Sequence, residues 1–195
     1  MKLHTGELRD LLVAWLSLGL AFAFFFEGVS PMTLGEFLLS PAFVGAMVVS
    51  LLTVGVGFLL HELAHKVVAV RFGQYARFQA DYRMLAFAIV GGLAGFVFAA
   101  PGAVYHRGRL SDRQHGLIAL AGPMTNLALA ALFVPVALIA PLLGSRGVTI
   151  NLFLAAFNLL PIGALDGATV KDWSVPVYVG TFVPALLLAV WVLFG

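Results

Sequence analysis

The chain has 195 residues, of which 62% are hydrophobic and only 10% charged, with a mean hydropathy of +1.04. Globular domains carry about 25% charged residues, so this composition excludes an ordinary water-soluble fold and points to one membrane domain over residues 1–195. The net charge of +2 lies in short loops between apolar runs, where it marks topology and gives no reason to expect a nucleic-acid partner, and the lack of cysteine excludes disulfides, thiolate metal sites and cysteine nucleophiles.

In chain order, Lys2, Glu7, Arg9 and Asp10 precede an apolar run from Leu11 to Phe26. Phe24-Phe25-Phe26-Glu27 is no small-residue cleavage site, so the run reads as a retained transmembrane helix. The linker from Glu27 to Ser40 has no Lys or Arg and reads as an outside loop. From Ala42 a helix runs through Leu60 and past His65 to about Phe72, ending inside because Arg71, Arg77 and Arg83 follow. Phe78 to Arg83 alternates like a short strand.

Residues 84–105 are interrupted by Gly91-Gly92, Gly95 and Pro101-Gly102, and a second basic loop with Arg107, Arg109 and Arg113 follows. A crossing here would put two basic loops on opposite faces, so a re-entrant or β-hairpin segment is expected. A further span ends near Leu143, Gly144 to Gly147 reads as a tight outside turn, and the run Val148 to Leu165 crosses back to Asp166-Gly167. Val175 to Phe194 is the last span. The fold expected is an all-α polytopic membrane protein with about five to six transmembrane helices and a core over residues 42–167.

Within the second run stands His61-Glu62-Leu63-Ala64-His65. Polar and ionisable side chains cost a few kcal/mol in hydrocarbon (about 2.5–3.5 for Asp), so their presence there points to function. On a helix, His61 and His65 are one turn apart on one face and can share a Zn²⁺ ion, while Glu62 can take a proton from the attacking water. A catalytic zinc usually has three protein ligands. Asp166 is a candidate for the third: two crossings separate it from His65, so it returns to the same end. An ordinary interfacial Asp is the competing reading. Asn126 reads equally as a helix-packing amide. His4, His106 and His115 fall in loops or near a terminus and read as solvated.

These residues, with Asn158-Leu159-Leu160-Pro161-Ile162-Gly163-Ala164-Leu165-Asp166-Gly167 and Ala121-Gly122-Pro123-Met124-Thr125-Asn126, resemble the site-2 protease family of intramembrane zinc metalloproteases. The likeness is to its compact prokaryotic type without a PDZ domain and covers roughly Ala42 to Gly167. It implies one Zn²⁺ per chain on His61, His65 and Asp166, with Glu62 as general base and acid. It also implies that Asn126 and Asn158 stand near the site, where they could hold substrate backbone or an oxyanion. The activity implied is cleavage of transmembrane protein substrates in or near their spans, by a multi-pass cell-membrane protein whose active site faces the cytosol. The alternative is a non-catalytic zinc-binding membrane protein, either a pseudoprotease or a transporter. The intact Glu62 argues against the first, and the scarcity of polar residues in the outer halves of the helices argues against the second.

Overall fold

Long apolar runs separated by Gly, Pro and charge become helices, whereas the strand expected over Phe78 to Arg83 lies earlier, at Tyr75–Ala80, and Tyr82 and Arg83 open a helix. The computed structural model describes residues 3–96 and 101–195. Its helices are α1 (Glu7–Phe26), α2 (Leu34–Leu39), α3 (Pro41–Ser50), α4 (Val56–Arg71), α5 (Tyr82–Leu93), α6 (Asp112–Ile139), α7 (Pro141–Asn158), α8 (Asp166–Trp173) and α9 (Val175–Phe194). A π-turn, Leu51–Gly55, joins α3 to α4. Strands β1 (Tyr75–Ala80) and β2 (Gly102–Arg107) form a two-stranded sheet. Among the described residues, four helical stretches are long and apolar enough to cross a membrane: Glu7–Phe26, Pro41–Arg71, Asp112–Ile139 and Val175–Phe194. The protein is thus the expected all-α polytopic type, and α7, with Arg146, Asn151 and Asn158, is its more polar long helix.

The chain folds as two compact units. One comprises the residues up to Val56 together with Phe78–Ala103. Here α1 packs against α3, the π-turn and α5. The Leu51 carbonyl accepts both the Val56 N–H that closes the π-turn and the Trp15 Nε1–H, at 3.0 Å for the latter. The start of α1 is fixed by buried carboxylates: Glu7 accepts from Phe78 N–H at 3.1 Å, and Asp10 accepts from the Tyr82 hydroxyl at 2.7 Å. Asp81 caps α5 by accepting from the Arg83 and Met84 N–H groups, both at 3.0 Å. Its own N–H donates to the Pro101 carbonyl at 2.9 Å. The two ends of the segment between therefore meet. Its outward leg is α5, and residues 97–100 lie outside the described ones.

The other unit comprises Gly57–Arg77 and Val104–Gly195. Helix α6 opens with a capping box, in which Ser111 Oγ accepts from Gln114 N–H while Gln114 Oε1 accepts from Ser111 N–H. Helices α6 and α7 pair along their length, and α7 and α9 enclose a core of Ala130, Leu152, Ala155, Leu159, Ala185 and Ala189. Two boundaries differ from expectation. Gly144 to Gly147 is no turn but lies inside α7; the chain reverses at Ala140, and Pro141 takes the first helical position, where its missing N–H costs nothing. The two glycines instead let α7 approach α6, since a Cβ at Gly144 would strike the Ala137 backbone and one at Gly147 the Phe133 ring. Likewise α7 ends at Asn158, so Asp166 begins α8 rather than closing an apolar helix.

Candidate metal centre

Helix α4 places His61 and His65 one turn apart with their rings at 82° and their Nε2 atoms 2.9 Å apart. Asp166, at the first position of α8, brings Oδ2 to 3.3 Å from His61 Nε2 and 3.4 Å from His65 Nε2. Gly167 makes this entry possible, because a Cβ there would overlap the carbonyls of Leu159 and Leu160 at the end of α7. One ligand atom from each of the three residues lies within 4.8 Å of the other two.

The hydrogen bonds behind the imidazoles define what converges there. Asn126 on α6 is fully buried and donates through Nδ2 to the Gly57 carbonyl at 3.2 Å and to Asn151 Oδ1 at 2.9 Å. Its Oδ1 is therefore the acceptor facing His61 Nδ1 at 2.6 Å, and that nitrogen carries the proton. His65 Nδ1 lies 2.7 Å from the Ile118 carbonyl, which can only accept. In the neutral rings both Nε2 atoms then present lone pairs to each other. Asp166 Oδ2 is buried beside them without a hydrogen bond. Three lone-pair atoms facing one centre suit a bound cation. Ligand bonds of about 2.0–2.2 Å in tetrahedral geometry set donors roughly 3.3 Å apart, so the donor set fits zinc.

Two further features shape the centre. A Cβ at Gly122 would fall onto Nε2 of both His61 and His65, so the space before the ligands exists because residue 122 is glycine. Glu62, next to His61, is buried and is not one of the three converging ligands, and the Val104 backbone of β2 lies near its carboxylate. The site can thus hold a divalent ion and keep an uncoordinated carboxylate beside it.

Of the residues marked out in the sequence, His61, His65 and Asp166 come together with Glu62 adjacent. Asn126 joins them from behind: with both N–H groups engaged, it has no donor for a substrate and holds an imidazole instead. Asn158 gives an N–H to the Leu154 carbonyl of its own helix at 2.9 Å. Sequence reasoning missed Gly122, although it stands in the Ala121-Gly122-Pro123 motif. It also missed Asn151, fully buried, which accepts from Asn126 and donates to the Gly147 carbonyl at 2.9 Å. Asn126→Ala should weaken zinc binding about 10- to 100-fold, the usual cost of removing an outer hydrogen-bond partner of a ligating imidazole. Competition against a chelator of known affinity measures this; an unchanged affinity would detach Asn126 from the centre.

Two curated proteins resemble the chain. "Putative zinc metalloprotease MJ0611" of Methanocaldococcus jannaschii is 44% identical over 135 residues, covering 65% of this chain and 71% of that protein. "Putative zinc metalloprotease YwhC" of Bacillus subtilis is 32% identical over 149 residues, covering 64% and 68%. No family model and no solved structure matches.

Proposed function

This chain belongs to the zinc metalloprotease family of those two relatives, and we propose that it cuts membrane-protein substrates in or near their transmembrane segments, as a compact site-2 protease. The observation that carries this reading is the position of His61, Glu62 and His65 on Pro41–Arg71, a helical stretch apolar and long enough to span a membrane. The spacing from Asn158 to Gly167 supports the narrower assignment.

His61, His65 and Asp166 would hold the zinc ion, which would supply Lewis acidity and lower the pKa of water towards about 7. The chain's own groups do the rest. The Asn126 carboxamide and the Ile118 carbonyl hold the imidazoles in the Nδ1–H tautomer, which keeps Nε2 available as a ligand. Glu62 accepts a proton from the attacking water and later delivers it to the leaving amine. A helical substrate shields its peptide bonds with its own hydrogen bonds, so it must unwind locally before Glu62 can act on one. The basic loops carrying Arg71, Arg77, Arg107 and Arg109 favour a cytosolic placement for this end of the molecule.

The test is reconstitution of the zinc-loaded protein in vesicles with a transmembrane peptide and, separately, with a soluble peptide of the same sequence. Preferential cleavage of the membrane-inserted peptide, lost on chelation and regained with zinc, is expected. A zinc-loaded protein that cuts neither peptide is the pseudoprotease or transporter. In the same vesicles, single cysteines placed at Arg77 and Arg109 should label with an impermeant reagent from one face; labelling from opposite faces would overturn the orientation.

A further inference from the structure

We propose that His106 and His115 form a second, weaker site for a divalent transition-metal ion, tying β2 to α6 just outside the catalytic centre. The sequence suggests two separate solvated histidines, whereas the structure packs their rings together, with centroids 5.3 Å apart and planes at 83°. His61 and His65 show nearly the same relation, at 4.6 Å and 82°. Two imidazoles on one tetrahedral zinc, with Zn–N of about 2.0–2.1 Å, have centroids roughly 5 Å apart. The pair therefore already has the spacing that a shared ion imposes.

The pair also has ligand chemistry. His106 is on β2 and His115 on α6, so two elements fix their backbones; His106 is half-buried and His115 exposed, and both are within reach of solvent. Burial, with His115 beside it as the second cause, lowers the His106 pKa below its ordinary value and favours the neutral form that binds metal. Water would complete the coordination of an ion held by the two imidazoles. The cations adjoining in sequence point elsewhere by periodicity: Arg107 alternates to the other face of β2, and Arg113 is two residues from His115 on its helix.

Position gives the site its consequence. Val104, whose backbone lies near Glu62, is two residues before His106, roughly 7 Å along a strand. Ile118, whose carbonyl holds His65, is three residues after His115, roughly 4.5 Å along a helix. The two elements that touch catalytic residues each carry one of these histidines a short step outward.

The experiment is zinc titration of the full-length protein in detergent, with bound metal counted at saturation. Wild type should bind two ions of unequal affinity, and the double variant His106→Ala/His115→Ala should lose the weaker while keeping the tighter, whose retention also shows that the variant is folded. His61→Ala/His65→Ala should keep only the weaker, a result that stands whether or not the protein is a protease. Should the double variant unfold, His115→Gln alone must weaken the second ion and leave the first. One ion in saturated wild type, or an unaltered second ion in the His106/His115 variants, would overturn the proposal.

Discussion

Glu62→Gln should leave the zinc content unchanged and lower turnover about 10²- to 10⁴-fold, the usual contribution of a positioned general base. Three other side chains converge as ligands, so the metal loses nothing when this carboxylate becomes an amide. Gln keeps the size of Glu. What disappears is the capacity to take a proton from water and return it to an amine. Metal analysis paired with peptide cleavage separates the two effects. Cleavage at the wild-type rate would remove Glu62 from the mechanism, and joint loss of metal and activity would make it a ligand.

Gly122→Ala should affect the step before chemistry and abolish zinc binding. The added methyl group would occupy the position between the two Nε2 atoms where a ligand bond must form. The loss should exceed the roughly 10- to 100-fold cost of an outer hydrogen bond, because first-contact geometry is blocked. The fold should survive, since Ala favours a helix over Gly by about 1 kcal/mol and residue 122 is inside α6. Zinc stoichiometry and helical content should therefore part company. A variant that binds zinc like the wild type would show that this face of α6 is not a wall of the centre.

The residues that meet at the centre were legible because each is costly in an apolar run. His61, Glu62 and His65 stand out for that reason, and Asp166 follows from counting crossings. Counting found the right end of α7 but not its local structure. A stretch such as Gly144-Ser145-Arg146-Gly147 signals a turn in water, whereas between apolar helices glycine permits close approach, and no local pattern distinguishes the two uses. Gly122 escaped for a related reason: its role is an absence of atoms, visible only when both imidazoles are in place. Asn126 and Asn151 are polar residues in apolar helices and so could be flagged. Their partners, though, lie 65 and 25 positions from Asn126 along the chain, on His61 and Asn151 respectively, and only tertiary structure reveals which amide faces which.

The hydrogen bond between Asp81 and Pro101 has a bearing on chain length. A segment whose two ends already touch can gain or lose residues at its far tip without separating them, and doubling a flexible loop costs only about 0.6 kcal/mol in closure entropy. Insertions and deletions in this part of the chain should therefore be tolerated near Ala94 and Gly95, beyond the end of α5. The same change within Asp166-Gly167 would shift a metal ligand.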